Sequence, residues 1–128
     1  MNLLLDTHIF IWLNDAPEKL TPAIREACED PSNGLFLSVA SVWEIQIKQQ
    51  LGKLELEVPW FDMVETQRKD NGLIVLPIEL RHIQALANLP APHRDPFDRL
   101  IIAQAIHETM TLASMDAIFS EYPARLIS

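Results

Sequence analysis

Asn2-Leu3-Leu4-Leu5-Asp6-Thr7 starts the chain with an apolar run that stops on a carboxylate. It reads as a short strand, Asn2 to Leu5, with Asp6 at its carboxyl end. A brief helix over Ile9–Leu13 follows, closing near Asn14–Pro17. Thr21-Pro22 supplies an N-cap and a proline at the first helical position, so a second helix runs from there to Asp30-Pro31. Ser32-Asn33-Gly34 is a turn, Leu35–Ser38 a strand, and Ala40–Leu51 a helix with Gly52 in the position that favours left-handed backbone.

The alternation continues. Pro59 opens a helix stopped by Asn71-Gly72, and Leu73–Leu76 is a continuous apolar run of the kind buried on both faces. Leu80–Leu89 gives a short helix, Pro90-Ala91-Pro92 a stiff loop, and Asp95-Pro96 starts the most regular helix. Thr111–Ala113 and Arg125–Ile127 are the last strands. Strands alternating with helices imply a parallel sheet covered on both faces and joined by right-handed crossovers. The class is α/β.

The chain's 128 residues form one domain by size, spanning 1–128, with 48% hydrophobic and 22% charged residues. No apolar stretch is long enough to span a bilayer, and the first residues lack the pattern of a signal peptide, so a cytoplasmic protein without membrane attachment is expected. The single cysteine, Cys28, excludes an internal disulfide and a thiolate zinc cage, and reads as a small buried hydrophobe. Ten Lys+Arg against eighteen Asp+Glu leave a net charge of −8. That balance argues against a module that holds nucleic acid by phosphate neutralisation alone. An enzyme that gathers its negative charge around cations fits it better.

Ligands of parallel α/β sheets bind outside the carboxyl ends of the strands. Four acids map to that edge: Asp6 after the first strand, Glu44 in the helix after the second, Asp98 in the first turn of the Asp95-Pro96 helix, and Asp116 beyond Ser114. Singly, Glu44, Asp98 and Asp116 also read as ordinary cap or helix-start carboxylates. Asp6 is costly after three leucines unless paired or metal-bound. Together, four like charges at one edge would raise one another's pKa values unless a cation intervened. Oxygen ligands without a cysteine cluster favour Mg²⁺ or Mn²⁺ over zinc.

Four segments in order resemble the motifs of PIN-domain ribonucleases. They are Leu3-Leu4-Leu5-Asp6-Thr7-His8 with Trp12; Ser38 to Ile45; His93 to Ala105; and Leu112-Ala113-Ser114-Met115-Asp116 with Phe119. Length and motif wording most resemble the VapC-type toxins of bacterial type II toxin–antitoxin pairs. The resemblance implies a Rossmann-like three-layer α/β/α sandwich, a Mg²⁺-dependent endoribonuclease, a homodimer, and inhibition by a cognate antitoxin. It implies that Asp6, Glu44, Asp98 and Asp116 form the catalytic set on RNA, with Asp6 and Asp98 direct metal ligands and Glu44 and Asp116 binding directly or through water. The aspartate followed by Leu-Ile-Ile-Ala in the third motif takes the metal position, which selects Asp98 and leaves Asp95 as cap or support. Thr7 and Ser114 match small hydroxyl positions near the metal, and Arg99 could reach a phosphate or pair with an acid.

Among other residues, His8 reads as a helix-start histidine, His93 as a residue at the mouth of the site, and His82 and His107 as surface positions. Trp12, Trp43 and Trp60 read as core or interface packing. A dimer groove collecting Lys48, Lys53 and Arg94 would offset the acidic balance. A receiver-type signalling domain is the non-enzyme alternative, but no Asp ends the mid-chain strand at Leu76-Pro77. A phosphatase of the Asp-x-Asp kind fails because Asp6-Thr7-His8 lacks the second Asp.

Overall fold

The computed structural model describes residues 1–90 and 95–128. The Ala91-Pro92 loop, His93 and Arg94, on which expectations were placed, lie outside the described residues. The chain forms β1 (Asn2–Leu5), α1 (Thr7–Asp15), α2 (Pro22–Glu29), β2 (Gly34–Ser38), α3 (Val39–Gln50), α4 (Trp60–Asn71), β3 (Ile74–Leu76), α5 (Leu80–Ala85), α6 (Pro96–His107), β4 (Thr111–Ala113) and β5 (Leu126–Ile127). The five strands make one sheet in the order β3-β2-β1-β4-β5, every pairing parallel.

Local chemistry sets the element ends. The Thr21 hydroxyl accepts from the Ile24 amide to start α2, and the Ser38 hydroxyl accepts from the Ala40 amide to start α3. Gly52 ends α3 at φ 70°, with Gly52 N donating to Gln49 O and Lys53 N to Lys48 O, which satisfies carbonyls of the last turn. The helix expected over Leu80–Leu89 is shorter: α5 ends at Ala85, and a 3₁₀ turn takes Leu86–Asn88.

β1 is the central strand, and its three leucines alternate between two cores. Leu3 and Leu5 join Ile9, Phe10, Ile24, Leu37 and Ile45 on one face. Leu4 joins Ile101, Ile102, Leu112 and Phe119 on the other. A strand with no water on either side explains the unbroken apolar run. The result is a three-layer α/β/α sandwich. β3, expected to be buried on both faces, is an edge strand instead, and Ile74 is 51% exposed. The strand order removes the receiver-type alternative, which needs 2-1-3-4-5.

Cys28 is buried as expected, and burial, helped by the nearby Glu29 charge, pushes its thiol up to about 11, which makes it unreactive. No helix among the described residues is long and apolar enough to cross a membrane.

Candidate active site

The strand order reverses between β1 and β4, so the crevice at their carboxyl ends is the switch point where such sheets bind ligands. A cavity of about 450 Å³ lies there, lined by Asp6, His8, Trp12, Glu44, Lys48, Asp95, Asp98, Met115 and Asp116. All four acids singled out in the sequence face this one space.

Each is held by a different local device. Asp6 follows β1 directly, and its amide extends the β1–β4 ladder by donating to Ala113 O at 3.0 Å. The buried Ser114 hydroxyl, just past β4, donates to Asp6 Oδ2 at 2.9 Å and accepts from the Asp116 amide at 3.1 Å. Ser114 thus ties the first and fourth motifs together. Asp116 caps the 3₁₀ turn Ala117–Glu121, its Oδ1 accepting from the Ile118 amide at 3.1 Å. Glu44 projects from α3, where Thr7 Oγ1 donates to its Oε1 at 2.8 Å and Lys48 Nζ sits 2.7 Å from its Oε2.

Asp95 and Asp98 enter together at the start of α6. Asp95 Oδ1 accepts from the Phe97 amide at 2.9 Å and the Asp98 amide at 3.3 Å, so Asp95 is the N-cap and Asp98 the third helical residue. Substituting Asp95→Asn should cost at most about 1 kcal/mol, because Asn caps nearly as well. Urea unfolding would measure this, and RNA cleavage assayed beside it should stay within a few-fold of the parent. A dead but folded Asp95→Asn protein would transfer the role of Asp98 to Asp95.

The electrostatics follow from this crowding. Asp6 is only 6% exposed, and burial drives its carboxyl from the ordinary 3.8 up to about 7. The Ser114 hydroxyl pulls it down, the Asp98 charge raises it, the Thr7 amide lowers it, and Glu44 raises it. A buried carboxyl whose neighbours are also carboxylates is under-compensated. The carboxylates that line the cavity offer oxygen donors, which fit a hard divalent cation such as Mg²⁺ or Mn²⁺.

Several expectations are revised. Arg99 does not line the cavity; its Nη1 donates to Pro90 O at 2.7 Å and to Tyr122 Oη at 3.5 Å, so the chain itself engages the guanidinium. His82, expected at the surface, is fully buried, whereas His107 is exposed as expected. Trp43 is 60% exposed, while Trp12 and Trp60 pack partly against the core. His8 is exposed at the cavity wall, its ring 5.8 Å from that of Trp12. The sequence reading missed the Glu44–Lys48 pair and Met115. The i,i+4 spacing of an acid and a lysine on one helix was the available signal for the first.

A second group, Glu79, His82 and Glu108, has ligand atoms within 4.8 Å of one another but shares no residue with the cavity. His82 Nδ1 accepts from the Glu79 amide at 3.0 Å, so in the neutral ring Nε2 carries the proton and faces Glu108 Oε2 at 3.7 Å. A nitrogen that carries a proton has no lone pair for a metal. This group caps α5.

A parallel α/β/α sandwich with an acid-lined crevice at its switch point defines a Rossmann-like domain built around a polar site. The profile of the PIN domain matches residues 3–125, and the chain belongs to that family. No curated protein matches it significantly. Its fold is similar to a crystal structure of VapBC2 from Rickettsia felis bound to a DNA fragment from their promoter, with TM-score 0.73 and 18% identity over 99% of this chain and 98% of that one. It is also similar to VapBC-1 from nontypeable Haemophilus influenzae, with TM-score 0.68 and 18% identity over 100% and 98%. For FitAcB from Neisseria gonorrhoeae the values are 0.62 and 19% over 98% and 96%.

Proposed function

We propose that this chain is the toxin of a toxin–antitoxin pair and acts as a divalent-metal-dependent endoribonuclease. The convergence of Asp6, Glu44, Asp98 and Asp116 on one cavity carries the reading. Membership of the PIN family supports a hydrolase acting on nucleic acid. The VapBC and FitAcB neighbours support the toxin role and an antitoxin partner.

Asp6 and Asp98 would hold the ion directly, with Glu44 and Asp116 binding directly or through water. When bound, such a cation makes water a better nucleophile and neutralises charge developing on the phosphate. The protein's own share is orientation. Ser114 fixes one oxygen of Asp6, and Thr7 fixes one of Glu44, so both carboxylates are aimed before a ligand arrives. In the reaction, water adds to phosphorus, the bond to the leaving oxygen breaks, and two RNA ends result.

The same reading assigns the antitoxin to the α3–α4 face. A groove of about 400 Å³ between α3 and α4 is lined mainly by Val39, Val42, Trp43, Trp60, Phe61 and Val64. Trp43 and Phe61 are each 60% exposed, and an apolar patch of this kind asks for a covering partner. A homodimer in the cytoplasm completes the reading.

Purified protein is expected to cut RNA with Mg²⁺ or Mn²⁺ and to stop in EDTA. Undiminished cleavage in chelator would remove the metal from the reading. Growth arrest on induced expression, relieved by co-expressing an antitoxin encoded beside it, tests the toxin role, and light scattering tests the dimer.

A further inference from the structure

Both oxygens of Glu44 are already engaged within the chain. Thr7 Oγ1 donates to one at 2.8 Å and Lys48 Nζ lies 2.7 Å from the other. The pair is asymmetric: the Glu44 side chain is 6% exposed, whereas that of Lys48 is 37% exposed and lines the cavity wall. The carboxylates of Asp95 and Asp98 also act on the ammonium. Apart from His8, Lys48 is the only basic residue among the described residues that line this cavity. Arg99, its sequence-level rival for a phosphate, is turned to Pro90 O and Tyr122.

An ammonium and a divalent cation compete for the same carboxylate lone pairs. A lysine also carries its charge on a flexible stem and can change partners without moving its helix. We propose that Lys48 is an exchangeable counter-ion: it holds Glu44 while no divalent cation is bound, and turns to a substrate phosphate once a cation takes that carboxylate. The inference rests on the metal-dependent nuclease reading above. It makes Lys48 a positioning residue for Glu44 in one state and a phosphate contact in the other. Metal loading and RNA binding are thereby coupled through one side chain.

Calorimetric titration of the full chain with Mn²⁺, without RNA, tests the first half. Lys48→Gln removes the competitor and should bind Mn²⁺ at least about fivefold more tightly, the lower end of ordinary coupling between sites. Lys48→Ala should do the same, and Lys48→Arg, which keeps a competing cation, should stay within about twofold of the parent. Equal or weaker Mn²⁺ binding by folded Lys48→Gln and Lys48→Ala would make Lys48 a plain support for Glu44 and overturn the proposal. The second half is read from the salt dependence of KM at saturating Mn²⁺. Losing one phosphate contact on single-stranded RNA should lower the slope of log KM against log salt by about 0.7, and Lys48→Arg should restore it. An unchanged slope overturns the phosphate role. A parent protein that binds no Mn²⁺ overturns the metal reading and this inference together, whereas normal parent binding without the Lys48→Gln gain overturns this inference alone.

Discussion

Asp6→Asn is expected to lower RNA cleavage by about a thousandfold, or about 4 kcal/mol of barrier, while leaving the fold intact. Asp6 sits at the switch point of the sheet, 6% exposed, with its Oδ2 fixed by Ser114. An Asn in its place keeps an oxygen that accepts from Ser114 but loses the charge that would hold a divalent ion. The change therefore separates charge from shape. Single-turnover cleavage at saturating Mg²⁺, with circular dichroism as the folding control, measures it. A folded Asp6→Asn protein within tenfold of the parent would take Asp6 out of the site.

The same residue should dominate the pH dependence of stability without metal. Its folded-state pKa of about 7 stands above the ordinary 3.8, chiefly because of burial. The folded protein then holds this proton more tightly than the unfolded chain does. The resulting stability is fully present below about pH 4 and is lost as pH rises to about 7. A rise of this size corresponds to about 4 kcal/mol. For a chain of this length that is a fall on the order of 10 °C in Tm.

Asp6→Asn lacks the ionising group, so its Tm should fall less over the same interval and should exceed the parent's at pH 8. Mg²⁺ should restore the parent by about 2.7 kcal/mol at a hundred times its Kd, through binding to the folded state alone, and should restore the variant less. Thermal melts from pH 4 to pH 8, with EDTA or Mg²⁺, give all four comparisons. Parallel parent and variant curves in EDTA would show that the buried carboxyl does not titrate in this interval. Equal gains from Mg²⁺ would place the ion elsewhere.

The four carboxylates were legible because each sits at a boundary that local chemistry announces. Asp6 ends an apolar run, Asp98 stands three residues after a capping aspartate before proline, and Asp116 follows Ser114 past the last β4 residue. Glu44 was legible through its helix after β2. The ties between them were not. Ser114 reaches Asp6 across 108 positions and Thr7 reaches Glu44 across 37, distances over which side-chain spacing carries no signal. His82 was misplaced for the same reason. A polar residue at the start of a short helix reads as exposed, and only the packing of α5 against α6 buries it.

By itself the sequence determined the types of element, most of their boundaries and the caps that make them, because these depend on hydrogen bonds and rotamers within a few residues. Thr21, Asp95 and Gly52 act in the structure as their local surroundings require. Only the tertiary structure decided the order β3-β2-β1-β4-β5, the edge position of β3, the commitment of Lys48 to Glu44 and the turning of Arg99 toward Pro90 and Tyr122. An apolar strand looks the same at the centre or the edge of a sheet. Which neighbours it takes is set by how the crossover helices bury their apolar faces together, and that is a property of the whole chain.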